Sequence, residues 1–208
     1  GAGPGTTGSS LILVTPDAAR TMNTHLGMCQ QLEAADLDLE ALRSSRYLYV
    51  TGYLWDTDTQ KEAVRHALAK AKEFGVRVSL SLSDPFCVNR HRSDFIELLR
   101  ESVDLVFCNQ EEAFLLLDTD VSQDAVNQLG EWVETVVMTM GGRGSLIQHR
   151  GETVYVDALP VPVEDTTGAG DAFAAGYLYG MTHEKTPLES GRIASALAGA
   201  VIGHTGAR

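Results

Sequence analysis

Residues 165–176 read DTTGAGDAFAAG, a glycine-rich turn followed at once by a carboxylate and a run of small residues that opens a helix. A helix N-terminus presents unpartnered backbone N–H groups and the positive end of a dipole, so an anion can be held there. Gly168, Ala169 and Gly170 carry little or no side chain, which lets a phosphate approach their amides closely. Those amides can stabilise the oxygens of a transferring group. Asp171, at the same helix start, can accept the proton of an attacking hydroxyl. A sugar hydroxyl turns acidic only as its bond to phosphorus forms, so an ordinary carboxylate suffices. Phosphoryl transfer is the chemistry that fits, because it depends on positioning and charge stabilisation more than on covalent help. The plainer alternative is that Asp171 is only a favourable charge at a helix start.

Two further sets of residues follow apolar strands. Asn109 and Glu112 stand three apart, on one side of a helix start, which is also the spacing of a capping box. Thr139, Gly141 and Gly144 come after the strand VVMTM and suit a tight turn. In open α/β sheets ligands sit beyond the carboxyl ends of strands, and all three sets are expected there. Two common nucleotide fingerprints are missing. No G-x-x-x-x-G-K-[ST] run exists, and the G-x-G-x-x-G pattern that begins at Gly168 ends on Phe173.

The elements that would position these residues alternate. Strands are expected at 10–15, 46–55, 76–82, 103–109 and 134–140, and helices at 57–74, 90–102 and 110–117. A turn at 17–21 leads to a return strand at 21–26, and 144–156 reads as a hairpin turning at Arg150–Gly151. Two helices, roughly 169–182 and 188–203, close the chain. Ala63, Ala67, Ala71, Phe74 and Leu68 form the inner face of one helix; Phe95, Leu98 and Leu99 point inward on another. Alternation of this kind implies an α/β fold with a mostly parallel sheet. Stripes of small residues, Gly191, Ser195, Gly199 and Gly203 with Ala172, Gly176 and Gly180, predict close helix packing. His91 reads as a surface residue of a helix start, whereas Trp55 and Asp56 end a strand and stand equally as site edge or as scaffold.

The 208 residues suit one domain, and their net charge of −12 disfavours nucleic acid and anionic membranes as partners. No stretch of about 18 apolar residues is present, and the start lacks the pattern of a secretory signal as well as an initiating Met. Cys29, Cys87 and Cys108 form no C-x-x-C, which fits a reducing, cytoplasmic setting and speaks against a zinc site.

The motif DTTGAGDAFAAGYLYG resembles the C-terminal signature of the ribokinase-like (PfkB) carbohydrate kinases. NQEE at 109–112 is similar to that family's N-x-x-E motif, and TMGGRGS at 139–145 resembles its nucleotide-phosphate turn. The segments LVTPDAARTMNTHLG, SDPFCVNRHRSDF and IGHTGAR resemble the adenosine kinase branch. The resemblance implies a three-layer sandwich with a mostly parallel sheet and a β-sheet lid. It implies a single domain over 1–208, N-terminally incomplete, with 10–27 as a partial lid hairpin. Family members carry a substantial part before the equivalent of SLILVT, holding a glycine-rich substrate motif and most of the lid. The implied activity is transfer of the γ-phosphate of ATP to a hydroxymethyl group of a nucleoside, such as adenosine, or of a sugar. Asp171 would be the base and Gly168, Ala169 and Gly170 the anion hole. Asn109 and Glu112 would order the waters of Mg²⁺ beside the phosphates, and Thr139, Gly141 and Gly144 would hold the nucleotide. Asp165 and Thr167 would help hold a monovalent cation such as K⁺ through their backbone. A nucleotide-binding but catalytically incomplete fragment, or a subunit that needs another chain to complete its sheet, are the competing readings, and a homo-oligomer is compatible with all three.

Overall fold

Apolar runs such as LVF and VVM, uninterrupted by polar residues, are what strands buried on both faces require. The computed structural model describes residues 5–15 and 20–207 and places those runs in the middle of a six-stranded sheet. In chain order the elements are strand β1 (Ser9–Val14), β2 (Arg20–His25), helix α1 (Leu39–Arg43), β3 (Tyr47–Thr51), α2 (Asp58–Phe74), β4 (Arg77–Ser81) and α3 (Pro85–Glu101). There follow β5 (Leu105–Asn109), α4 (Gln110–Leu117), α5 (Ser122–Gly130), β6 (Thr135–Thr139), β7 (Ser145–His149), β8 (Glu152–Val156), α6 (Ala169–Thr182) and α7 (Pro187–Ile202). The large sheet has the order β3-β4-β5-β6-β7-β8. Strands β3 to β6 are parallel, and β7 and β8 are added antiparallel. β1 and β2 form a separate antiparallel ribbon in which Leu11 faces Asn23 and Leu13 faces Thr21.

Successive residues of the strands serve opposite faces of the sheet. Val106, Cys108, Val136 and Met138 pack with α2, α3, α4 and α5 on one face. Leu105, Phe107, Val137 and Ile147 pack with Phe173, Ala174, Tyr177 and Ala194 of α6 and α7 on the other. The result is a three-layer arrangement with helices on both faces of a mostly parallel sheet.

Local signals account for most boundaries. Thr57 caps α2, accepting from the Gln60 amide at 3.3 Å, and Gly75 ends it in the left-handed region at φ 71°. Ala63, Ala67, Ala71 and Leu68 are buried as expected, and so are Phe95 and Leu99. Arg150 and Gly151 both have positive φ, 51° and 85°, and close the β7–β8 hairpin. The expected turn at 17–21 falls largely on residues outside the described set.

Other boundaries differ from expectation. The strand expected at 46–55 stops at Thr51, and Gly52–Trp55 is a 3₁₀ turn. A Cβ on Gly52 would lie 2.8 Å from the Leu82 carbonyl oxygen, so the chain turns tightly there against β4's exit. α3 begins at Pro85, five residues before the expected start, because Asp84 caps it and Pro85 is tolerated in its first turn. The Asp84 carboxylate accepts from the Cys87 amide at 2.7 Å. α1, α5 and two short 3₁₀ turns at 27–31 and 34–36 were not expected. α5 lacks a side-chain cap and ends in Gly130, which hides its buried Ala125, Val126 and Leu129.

Candidate active site

β5 ends on Asn109 and β6 ends on Thr139, and the two are register partners on neighbouring parallel strands. β7 returns from the same edge, so Thr139 is also paired with Ser145. The register therefore sets Asn109, Thr139 and Ser145 side by side at one end of the sheet.

α4 leaves directly from Asn109. The Asn109 Oδ1 accepts from the Glu112 amide at 2.9 Å. Glu112 Oε2 accepts from the Asn109 backbone N–H at 2.9 Å, and Oε1 from Asn109 Nδ2 at 2.7 Å. The pair is a complete capping box. Glu112 is only 4% exposed. Burial pushes its carboxyl up to about 7; the Asn109 amide opposes this, and Asp84 and Glu111 add to it. A cation brought alongside would favour the charged form.

After Thr139 the chain makes a 3₁₀ turn over Gly141–Arg143. The Met140 N–H donates to the Gly144 carbonyl at 2.8 Å, and the Gly144 N–H to the Gly141 carbonyl at 3.0 Å. Gly144 has φ 83°, and a Cβ there would come within 2.1 Å of the Val156 carbonyl oxygen. Its amide is thus taken up by the turn, and its glycine identity is explained by the turn alone. Gly141 and Gly142 differ: a Cβ on either would meet nothing within 4 Å. The open backbone of this motif is at Gly141 and Gly142, with Gly144 as its hinge.

Gly168 caps α6 in the left-handed region at φ 79°, a conformation that glycine adopts without penalty. The Ala169 N–H donates to the Thr166 carbonyl at 3.2 Å, so this amide is engaged within the turn rather than free like an open first-turn donor. Gly170 needs no special backbone angle, yet a Cβ on it would meet no atom within 4 Å. Open space thus lies beside Gly170, whereas Ala207 packs against Gly168. Asp171 is exposed in that turn. Its carboxylate reaches Tyr49 of β3: burial raises the Tyr49 hydroxyl, a hydrogen bond with Ser81 opposes this, and Asp171 adds to it. Glu112 contributes at longer range to Tyr49, and with Asp84 to Tyr53, whose hydroxyl is raised chiefly by burial. Asp171 and Glu112 are thus both near enough to Tyr49 to act on its hydroxyl. Tyr49, Ser81 and Tyr53 were not singled out from sequence, because their partners come from other elements of the fold. Phe86, 75% exposed in the first turn of α3, was also passed over.

The Asp165 side chain is engaged within the chain. It is 2% exposed. Its Oδ1 accepts from the Thr167 N–H at 2.8 Å and the Thr167 hydroxyl at 2.6 Å, and its Oδ2 from the Gly206 N–H at 3.0 Å. The carboxylate clasps the loop before α6 to the end of the chain. Among the described residues no three His, Cys, Asp or Glu side chains come together as a metal site.

Trp55 and Asp56 resolve as scaffold. Trp55 is buried and donates to Asp94 at 2.6 Å. Burial opposes ionisation of Asp56, but His91 and Arg90 together hold its carboxyl below the ordinary range. His91 is half-buried, 3.0 Å from Asp56, at a kink of α3 with φ −124°.

The sequence matches the pfkB family carbohydrate kinase over residues 3–208. The chain belongs to this family. An adenosine kinase from Sinorhizobium meliloti is 40% identical and superposes with a TM-score of 0.94, covering 97% of this chain and 62% of that one. A probable sugar kinase from Rhizobium etli gives 39% identity, the same TM-score of 0.94 and the same coverage, 97% and 62%. A putative ribokinase II from E. coli in complex with ATP and Mg²⁺ shares the fold, with a TM-score of 0.84 at 20% identity, covering 95% of this chain and 66% of that one. The chain thus spans just under two thirds of the length of these structures. Among the described residues no helix is long and apolar enough to cross a membrane.

Proposed function

We propose that this PfkB-family chain serves ATP-dependent phosphoryl transfer to a hydroxymethyl group of a nucleoside or sugar. One observation carries the reading: Asp171 is exposed in the first turn of α6, beside the open Cβ position of Gly170 and near Tyr49 of β3. In this reading the Asp171 carboxylate takes the proton of the acceptor hydroxyl. The Gly168 and Gly170 amides, with the α6 dipole, stabilise the transferring oxygens. Gly141 and Gly142 lie under the nucleotide phosphates beside the Thr139 hydroxyl. Mg²⁺, when bound, neutralises phosphate charge, and Asn109 and Glu112 are the residues that would orient its waters. The Asp165–Thr167 clasp fixes the loop whose carbonyls would face a monovalent cation. The β1–β2 ribbon would form part of a lid, with the six-stranded sheet as the single domain beneath it.

The acceptor is either a nucleoside or a sugar. Exposed aromatic rings at Tyr53 and Phe86, beside Asp84, favour a flat base over a bare sugar. A second reading, nucleotide binding without turnover by these 208 residues alone, is supported by the exposed ribbon and by the 62% span of the solved relatives. The test is Asp171→Asn in the complete protein, assayed with ATP and with adenosine or ribose beside the 208 residues alone. Turnover should fall by roughly 10²–10⁴-fold, the span of a general base, while ATP affinity stays the same. Near-normal turnover would remove Asp171 from the mechanism, and ATP binding without any wild-type turnover would select the second reading.

A further inference from the structure

Arg143 stands third in the Gly141–Gly144 turn, and its backbone is fixed from both sides. Its N–H donates to the Met140 carbonyl at 3.2 Å, and its carbonyl accepts from the Tyr155 hydroxyl at 2.5 Å. Its exposed guanidinium donates through Nη2 to the Gln110 side-chain oxygen. Gln110, the first residue of α4, is held at its other end by the Ser122 hydroxyl at 2.5 Å. The arginine thus bridges the end of β6 to the end of β5, next to Asn109. Its partner is a neutral amide. In a chain of net charge −12, with Glu111 and Glu112 on the adjoining helix, no carboxylate forms an ion pair with Arg143 among the described residues. A guanidinium matches phosphate oxygens in a two-pronged geometry that an amide oxygen cannot offer.

We propose that Arg143 is a polyphosphate clamp: its guanidinium leaves Gln110 and grips the phosphates of a nucleoside triphosphate seated over Gly141 and Gly142. This rests on the reading that the turn takes a nucleotide. The Gln110 bond holds the guanidinium at the rim in the meantime, and an exposed charge–amide bond exchanges readily for a charge–charge one.

The experiment measures binding of ATP and of inorganic tripolyphosphate by calorimetry, at low and high salt, to the wild-type chain and to Arg143→Met, Arg143→Lys and Gln110→Ala. Arg143→Met should weaken both probes by about tenfold or more and flatten the salt dependence, and Arg143→Lys should lie between it and wild type. Gln110→Ala should bind as tightly as wild type or tighter, because the guanidinium is already free. Equal affinity of wild type and Arg143→Met overturns the clamp. So does a loss in Gln110→Ala equal to that in Arg143→Met, which would make Arg143 a brace for the turn. If wild type binds neither probe, the nucleotide reading itself fails and takes the clamp with it.

Discussion

Glu112 gives both carboxylate oxygens to Asn109 while lying almost wholly out of water. Burial raises its carboxyl from an ordinary 4.5 to about 7, so the folded chain holds that proton more tightly than the unfolded one. The sign follows from linkage: the stabilisation is complete below the ordinary value and is lost as the pH rises through about 7. Thermal midpoints should therefore fall across that window in wild type and fall less in Glu112→Gln. The variant also loses one hydrogen bond to Asn109, an offset of about 1 kcal/mol at every pH, so the slope rather than the absolute midpoint is the readout. Parallel slopes for the two proteins would show that the buried carboxyl is already ionised. In turnover assays the same substitution should raise the Mg²⁺ concentration needed for half-maximal rate, since it removes a charge beside the proposed metal. An unchanged Mg²⁺ dependence would confine Glu112 to capping α4.

The two helices that cover one face of the sheet meet at glycines of unequal importance. A Cβ on Gly176 would lie 2.7 Å from Ala194 Cα, and one on Gly180 within 2.7 Å of Ser190 Cα. On Gly199 the nearest atoms, from Leu159 and Val161, are at 3.7 Å, an ordinary contact. Gly176→Ala should accordingly cost about 1–3 kcal/mol through overpacking, despite the better helix propensity of alanine. Gly199→Ala should gain up to about 1 kcal/mol. Chemical denaturation of both variants checks the pair, and a destabilised Gly199→Ala or a neutral Gly176→Ala would contradict this packing. The small-residue stripes were visible in the sequence, but only coordinates separate a glycine in contact from one with room. The same division runs through the other elements. Thr57, Gly75 and Arg150–Gly151 carry their boundaries in local chemistry, so they were legible. Gly52–Trp55 was not, because β-forming aromatic residues are turned there by close approach to Leu82, a tertiary effect. At the site, the glycine motifs and Asp171 were legible as residue types. Tyr49, Ser81 and Arg143 have partners on other elements, which no local pattern displays, and the clasp made by the Asp165 side chain is visible only with its donors in place.

At the scale of the whole molecule, the six-stranded sheet is covered on both faces while its β3 edge and the β1–β2 ribbon are not. Among the described residues β3 pairs only with β4. The ribbon leaves Leu11 at 67%, Leu13 at 59% and Met22 at 52% exposure, and a two-stranded ribbon by itself is marginal in water. Small-molecule pockets bury most of their ligand between converging walls. In the proposed reading the phosphates have the α4 start and the Gly141–Gly144 turn beside each other at the ends of β5 and β6. On the side of Tyr53 and Phe86 the rings stand open to solvent. Calorimetry on the 208-residue chain should therefore detect a non-hydrolysable ATP analogue but give no resolvable heat with adenosine or ribose up to about 1 mM, the weak end of specific affinity. Adding the ATP analogue should not rescue acceptor binding, because it covers neither Tyr53 nor Phe86 in the proposed arrangement. Micromolar binding of either acceptor by a monodisperse monomer would mean that the ribbon closes over Tyr53 and Phe86 by itself and completes the pocket from residues already in place.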